Sequence, residues 1–481
     1  MLFSLGYGSF FGVCVMKNIV LTNRSNCKNN VYEVKLNKAH IYTGINQLSR
    51  ALSIILMIVL VPLFLSKAEQ GYWFSFMSLS ALMIIADSGF SIIILQFAAH
   101  EFAFLHFDEA GGLKGDAYHL KRLGSFFLFC LKWLAGVAVA ALPLITAVGI
   151  CVMSSRAAES NWLPPWLLYI FGSTIAFINN GLLFFFEGCD SVSKSQKLRA
   201  KVNIVMIAIL CVSLSSGLKL YSLAVSVSIS SLLGLILLCR AYGPAISSLL
   251  SNAKGFSHPW RKEFLPLLGR YSLSWASGYF IFQMYTPIMF HYAGPVEAGK
   301  IGISITLWSG VLSLSNIWLY VVTPKLNIHI SKKKWFELDY LFFRNLILSG
   351  TTFLIGIAVI FSLLEFSKGH FSLADRFLNP VSMLILASGW CLQLIVNGLA
   401  IYLRAHKEEP LVVPSIVSAA YVIITTYFAA RYLPPEYFFL GFLSSYLWGL
   451  PWIISIFNKK RLNGHRSEQQ PLRSASQINP Y

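Results

Sequence analysis

Residues 41–65 of the chain read IYTGINQLSRALSIILMIVLVPLFL, and the only charged side chain among them is Arg50. The second part of the stretch, residues 51–65, holds one polar residue, Ser53. A helix needs about 20 predominantly apolar residues to cross the hydrocarbon core of a bilayer. The stretch therefore predicts a membrane-spanning helix.

Eleven further stretches of similar length and hydropathy follow this one. Together they predict an all-α integral membrane protein with about 12 transmembrane helices. The predicted spans are 41–65, 72–98, 124–153, 165–187, 202–218, 220–239, 271–293, 299–324, 345–367, 380–403, 411–430 and 437–457.

Lysines and arginines crowd every second gap between these spans. Of the 38 basic residues, 29 lie in the N-terminal segment, in the gaps after spans 2, 4, 6, 8 and 10, and in the C-terminal tail. Cationic loops are retained on the cytoplasmic side during membrane insertion. The distribution predicts that both termini are cytoplasmic.

The composition agrees with a membrane protein, because only 12% of the residues are charged against about 25% in soluble domains. The net charge of +18 comes from basic residues scattered over seven segments without an arginine-aromatic motif. This pattern argues against nucleic acid and favours anionic lipids as partners. None of the eight cysteines lies in a predicted outer gap, so neither a disulfide framework nor a zinc site is predicted.

The longest predicted gap separates six spans from six more, which predicts two six-helix lobes. Within that gap, Pro259–Leu265 fits either a helix on the inner membrane surface or a solvated loop. The polar tail has too few large apolar residues to offset the entropy of ordering. The predicted organisation is a cytoplasmic N-terminal segment (1–40), an N-lobe with helices 1–6 (41–239), a cytoplasmic interlobe linker (240–270), a C-lobe with helices 7–12 (271–457) and a disordered cytoplasmic tail (458–481).

A short internal repeat supports the two lobes. Pro62 followed by Glu69-Gln70-Gly71 recurs as Pro287 followed by Glu297-Ala298-Gly299. The same offset carries Asp87 onto Ser315. Because six is an even number, both lobes would enter the membrane in the same direction, as a parallel repeat about an axis along the membrane normal.

The first helical hairpin resembles a known family, through Val61–Leu65, Glu69–Trp73 and Asp87–Phe90, with Arg50 a few turns earlier and an echo in Ser272–Phe280. The sequence is similar to the polysaccharide-transport branch of the MATE-like MOP flippase superfamily, in particular to O-antigen flippases of the Wzx type. The likeness in layout covers nearly the whole chain.

This resemblance implies a multi-pass protein of the bacterial inner (cytoplasmic) membrane. It implies a flippase that moves an undecaprenyl-diphosphate-linked oligosaccharide, such as an O-antigen repeat unit, from the inner to the outer leaflet by alternating access. The implied partners are that glycan and, further, the polysaccharide polymerase and chain-length machinery. No cofactor is implied, and a coupling ion, H+ or Na+, is left open.

Three ionisable residues lie well inside predicted spans of the first lobe. At 1.5 Å rise per residue, Arg50, Lys132 and Asp87 lie about 13, 12 and 16 Å from the inner ends of spans 1, 3 and 2. Two cations facing one carboxylate would give a cavity for a diphosphate the positive charge that it needs. Equally, Asp87 could pair with one cation as a structural ion pair, and Lys132 could extend to the headgroups.

Amide side chains inside the spans provide donors and acceptors for a sugar, although each could instead bond to a neighbouring helix. They are Asn46, Gln47, Asn179, Asn180, Gln283, Asn316, Gln393 and Asn397. The candidate substrate ligands are Arg50, Asp87, Lys132, Asn46, Gln283 and Asn316.

Three other functions stay open. The sequence lacks the P-loop, H-E-x-x-H, G-x-S-x-G and C-x-x-C motifs, which argues against an enzyme. Membrane-embedded O-antigen polymerases and ligases resemble one another in having a large periplasmic loop. In this sequence every predicted outer gap has about a dozen residues or fewer. A MATE-type cation or drug antiporter would need an acidic cavity, and export of a peptidoglycan precursor would use the same lipid carrier.

The topology is testable by cysteine labelling in a background without the native cysteines. Cysteines at Ser66 and Ser160 should react with an impermeant thiol reagent applied from outside, and cysteines at Ser193 and Ser331 should be protected, because basic residues cluster around the second pair. Labelling at Ser331 without labelling at Ser66 would reverse the orientation.

Overall fold

A computed structural model of the chain describes residues 38–155, 161–253, 256, 258–367, 374–406 and 410–475. These residues are almost wholly α-helical, with one short β-hairpin. The predicted all-α class is confirmed. Residues 1–37 of the predicted N-terminal segment and residues 476–481 of the predicted tail lie outside the described residues.

The described residues form two compact units, 38–303 and 304–475. The elements of the first unit are α1 (Lys38–Phe64), α2 (Lys67–Ser80), α3 (Met83–Asp87), α4 (Phe90–Phe102), β1 (Leu105–Phe107), β2 (Leu113–Gly115), α5 (Ala117–Ser154), α6 (Leu163–Gly188), α7 (Val192–Ser215), α8 (Leu220–Asn252), α9 (Trp260–Phe282), α10 (Tyr285–Ala293) and the start of α11 (Pro295–Ser315).

The second unit contains the remainder of α11 and the helices that follow it. These are α12 (Ile317–Ser331), α13 (Trp335–Ser367), α14 (Pro380–Ala405), α15 (Val412–Tyr432) and α16 (Leu440–Ala475), with 3-10 turns at Ala374–Arg376 and Pro435–Tyr437. Its core includes Leu319, Leu338 and Phe342.

Within the described ranges, nine helices are long and apolar enough to cross a membrane, or eleven if each of two bent helix pairs counts as one span. The predicted seventh span corresponds to α9 and α10, which fall outside that count. Large apolar side chains face outward along the helices; Val139 is 75% exposed and Leu447 77% exposed. Lipid tails are the solvent that such surfaces require, so the chain is a multi-pass membrane protein.

Several helices extend beyond the spans predicted from hydropathy. Helix α8 continues to Asn252, and α9 begins at Trp260, so much of the segment predicted as a linker is helical. Helix α16 continues to Ala475, into the stretch whose composition predicts a disordered tail.

The stretch Pro259–Leu265, predicted as a surface helix or a loop, contains the first turns of α9. Trp260 and Phe264 are both 2% exposed, and their rings lie 4.8 and 5.9 Å from the ring of Phe126 on α5. The Trp260 indole also donates to Ser125 Oγ at 3.2 Å. Burial of two aromatic rings explains why this helix packs against α5.

Two spans are broken at equivalent places. The pair Lys67–Asp87 and Phe90–Phe102 bends by 43°, and the pair Pro295–Ser315 and Ile317–Ser331 bends by 41°. At the first break Ser88 and Gly89 adopt φ of 50° and 76°, a left-handed conformation that ends the helix. Lys67 and Asp87 precede Pro295 and Ser315 by the same 228 positions, which agrees with the internal repeat.

Helix α2 begins with a capping box. Ser66 Oγ accepts from the backbone N–H of Glu69 at 3.2 Å, and the Glu69 carboxylate accepts from the backbone N–H of Ser66 at 2.8 Å. This arrangement satisfies two of the amide groups that a helix leaves unpaired at its start. Lys219 Nζ lies 3.1 Å from the same carboxylate.

Helices α6 and α8 pack with their backbones close together at Gly172. A Cβ added to Gly172 would lie 2.7 Å from the Cα of Ser228. Ser228 Oγ donates to the carbonyl oxygen of Leu168 at 2.9 Å. Small residues at such contacts let helices gain packing energy inside a membrane, where the hydrophobic effect contributes little.

We expect Gly172→Leu to lower the thermal stability of the detergent-solubilised protein, at a cost of about 1–3 kcal/mol or more, because the added side chain meets backbone atoms. Gly136→Leu is the matched control, since nothing lies within 4 Å of a Cβ at that position. Equal melting temperatures for the two variants would contradict the close contact.

Candidate functional site

The structure places the three predicted in-span charges in different environments. Arg50 lies near the middle of α1 and is half-buried, and Lys132 on α5 is exposed. Asp87 is 1% exposed and accepts a hydrogen bond from Ser91 Oγ at 2.6 Å. The carboxylate is therefore enclosed by protein, whereas both cations keep accessible surface.

The helices that carry these charges have different neighbours. Helix α3, which ends at Asp87, packs on α9 and on α5, the helix of Lys132. Helix α1, which carries Arg50, packs on α7 and α2.

Asn46, a predicted sugar ligand, is the centre of a hydrogen-bonded network between helices. Its Nδ2 donates to Gln196 Oε1 at 2.8 Å, and its Oδ1 accepts from Asn203 Nδ2 at 2.8 Å. Asn46 is 3% exposed. Both ends of its amide are thus engaged by α7 in this conformation.

The network continues to a buried ion pair between α6 and α7. Gln196 Nε2 donates to Glu187 Oε1 at 3.0 Å, and Arg199 Nε donates to the same oxygen at 3.2 Å. Arg199 Nη1 also donates to Asn180 Oδ1. We call Asn46, Asn180, Glu187, Gln196, Arg199 and Asn203 the Glu187 network.

The Glu187 network has little contact with solvent. The Glu187 side chain is 2% exposed and that of Arg199 19% exposed. The guanidinium lies 4.8 Å from the centre of the Phe184 ring. Arg199 Nη2 is buried and has no hydrogen-bond partner among the described residues. The network supplies its own cation to a buried carboxylate and joins α1, α6 and α7.

The predicted ligand Gln283 lies at a break between helices. It is 8% exposed and follows the last residue of α9. Its backbone carbonyl oxygen accepts a hydrogen bond from Ser78 Oγ on α2.

The predicted ligand Asn316, in the second unit, lies at the break between α11 and α12. It is 2% exposed, and its Oδ1 has no hydrogen-bond partner within the described part of the chain. An unpaired buried acceptor is costly, so this oxygen is suited to a polar guest or a water molecule.

Other in-span amides bond to protein groups. Asn179 Nδ2 donates to the carbonyl oxygen of Ser231 at 2.7 Å. Gln393 Nε2 donates to Asn397 Oδ1 at 2.8 Å, and Gln393 Oε1 accepts from the Tyr446 hydroxyl at 2.7 Å. Contacts of this kind are the alternative to sugar binding that the sequence left open.

Sequence reasoning did not single out Glu187, Gln196 or Arg199. It placed Glu187 at the end of a span and Arg199 among loop cations. The sequence does contain a signal for this ion pair. Glu187 lies at the end of the apolar run FFFEG, and the basic residue Arg199 follows after a short turn. Antiparallel helices joined by a short turn bring such positions together.

No family model matches the chain, and no curated protein matches it either. Among solved structures, it is similar to a MATE protein in complex with MaL6, at 15% identity and a TM-score of 0.49 over 88% of this chain and 96% of that one. It is also similar to the outward-facing form of a multidrug resistance MATE family transporter of the MOP superfamily, at 13% identity and a TM-score of 0.49 over 88% of this chain and 96% of that one.

A MOP superfamily transporter from Pyrococcus furiosus is also similar, at 12% identity and a TM-score of 0.46, over 88% of this chain and 95% of that one.

The Glu187 network makes a prediction about stability. Glu187→Gln or Arg199→Gln alone should each cost about 3–5 kcal/mol of unfolding free energy, because each leaves one buried charge without its partner. The double variant should regain most of this loss. Unfolding in denaturant and detergent measures all three.

The control is Lys219→Gln, which removes a cation that is 64% exposed from its pair with Glu69. Its cost should be at most about 1 kcal/mol, as for other exposed pairs. Additive losses in the double variant would show that Glu187 and Arg199 do not depend on each other.

Proposed function

We propose that this protein is a flippase that moves an undecaprenyl-diphosphate-linked oligosaccharide from the inner to the outer leaflet of the bacterial cytoplasmic membrane by alternating access. Both termini would face the cytoplasm. The glycan would be an O-antigen unit or a similar surface polysaccharide repeat.

The observation that carries this proposal is the contrast between enclosed carboxylates and accessible cations within the helices. Asp87 and Glu187 are 1% and 2% exposed and accept hydrogen bonds from protein groups. Arg50 is half-buried and Lys132 is exposed. Of these four charged side chains, the two that keep accessible surface are positive, which favours an anionic guest.

A diphosphate headgroup suits these cations chemically. A guanidinium can bind phosphate oxygens in a bidentate manner, and an ammonium acts as a compact point charge. The polyprenyl tail would stay in lipid beside the helices.

The same contrast argues against the cation antiporter. A carboxylate that exchanges a cationic drug for H+ or Na+ must be reached by both. In this conformation Asp87 is enclosed, and Arg199 lies 3.2 Å from Glu187 as its counter-charge.

The test replaces Arg50 and measures surface glycan in a flippase-deficient strain, with immunoblots to hold expression constant. Arg50→Ala should abolish or strongly reduce delivery while insertion stays near normal, and Arg50→Lys should recover part of it, because a point charge still attracts phosphate. Lys332→Ala is the matched control, since this lysine lies beyond the last residue of α12.

A double change separates cargo binding from a structural role. If Arg50 only neutralises Asp87, then Arg50→Ala combined with Asp87→Asn should restore transport, because no uncompensated carboxylate would remain. We expect no rescue. Full rescue would reject headgroup binding by Arg50, and normal glycan delivery by Arg50→Ala alone would reject the proposed site.

A further inference from the structure

The two copies of the internal Glu-x-Gly repeat touch each other. A Cβ added to Gly71 on α2 would lie 1.8 Å from the carbonyl oxygen of Pro295, and one added to Gly299 on α11 would lie 2.9 Å from the backbone nitrogen of Gly71. Only glycine permits backbones to approach this closely at both positions. We call the contact of Gly71, Phe74, Gly299 and Gly302 the glycine seam.

The seam pairs equivalent residues. Gly71 and Gly299 are 228 positions apart, and the next contact along the helices joins Phe74 to Gly302, which has the same offset. A Cβ added to Gly302 would lie 2.2 Å from the Cβ of Phe74. Equivalent parts of a repeat meet only where they lie against their own symmetry axis. The starts of α2 and α11 therefore face each other across a local twofold axis.

A hydrogen bond crosses the seam. Gln70 Nε2 donates to the carbonyl oxygen of Gly299 at 3.0 Å. One turn farther along, Ser75 is 0% exposed and its hydroxyl has no hydrogen-bond partner within the described ranges. Ser75 is thus closed to solvent in this conformation.

We propose that the glycine seam is a reversible latch that closes the outer mouth of the transport path. The inference rests on the proposed function, because alternating access requires a contact at the outer face that opens to release cargo. It also rests on the proposed orientation, in which Ser66 and the turn between α10 and α11 face outward.

The chemistry of the seam suits repeated opening. At Gly71 and Gly299 the backbones lie in van der Waals contact without interlocking side chains, so separation there withdraws no knob from a hole. Phe74 lies against Gly302, which has no side chain to interlock with it. The amide that bridges to Gly299 can exchange its protein acceptor for water once the mouth is open. The contact does not tolerate a larger residue, because a methyl group added to either glycine would overlap backbone atoms of the other helix.

The experiment measures opening without any cargo. In a cysteine-free background, Ser75→Cys reports access behind the seam to an impermeant maleimide, applied to spheroplasts. With both glycines present, labelling should be slow. Adding Gly71→Ala should raise the labelling rate about tenfold or more, because the methyl group holds the helices apart. Gly299→Ala should raise it less, since its overlap is smaller.

The control is Gly278→Ala on α9, where nothing lies within 4 Å of the added Cβ, and it should leave the rate unchanged. A folded Gly71→Ala variant that labels at the original rate would overturn the latch. If Gly71→Ala fails to elute as a single species in detergent, the labelling rate of the Gly299→Ala variant is measured instead, and an unchanged rate overturns the latch. A lowered melting temperature with unchanged labelling would show a fixed structural contact, which also overturns it.

Failure of the latch and failure of the proposed function can be told apart. Labelling at Ser75→Cys depends on opening alone, whereas surface glycan depends on the cargo. Normal glycan delivery by Arg50→Ala together with faster labelling by Gly71→Ala would leave a gated transporter of a different cargo. Loss of delivery in Arg50→Ala with no change in labelling would reject only the latch.

Discussion

No water is available inside a bilayer to solvate a charge or an open backbone group, and much of this structure follows from that constraint. Each described carboxylate that lies deep in its unit is supplied with protein donors. Ser91 donates to Asp87, and Gln196 and Arg199 donate to Glu187. Protein groups thus donate to these buried carboxylates, whereas the cations Arg50 on α1 and Lys132 on α5 keep accessible surface.

The same constraint explains the position of the helix breaks. A break leaves amide and carbonyl groups without helical partners, and such groups are tolerated at membrane depth only where protein covers them or a polar cavity reaches them. The break after Asp87 uses Ser88 and Gly89 in left-handed conformations, and Asp87 is buried. At the break beside Asn316, a buried side-chain oxygen remains without a partner among the described residues. The first break is therefore closed by its own side chains, and the second offers an acceptor.

Hydropathy predicted the spans well because lipid is the solvent for most of their surface. It could not predict that α8 continues past its predicted span to Asn252, since a window of apolar residues detects only the apolar part of a helix. The packing of Trp260 and Phe264 against Phe126 was missed because it depends on contacts distant in sequence. The pairing of Glu187 with Arg199 depends on how α6 and α7 rotate about their axes, which hydropathy does not determine. The repeat that contains Gly71 and Gly299 could be recognised in the sequence, because the close backbone contact at both positions requires glycine.

Several of the motif residues behind the family resemblance have structural roles in this chain. Glu69 caps α2, Gly71 forms the seam, and Ser88 and Gly89 end α3. Such residues specify an architecture that could serve several cargoes, so they are weak evidence for any one of them. Specificity must come from side chains that the architecture leaves accessible or unpaired. Arg50 and Lys132 keep accessible surface, and Asn316 keeps an unpaired acceptor among the described residues. Within the first unit, two accessible cations suit the anionic headgroup that we propose better than a cationic drug, because an ammonium drug would meet like charge there.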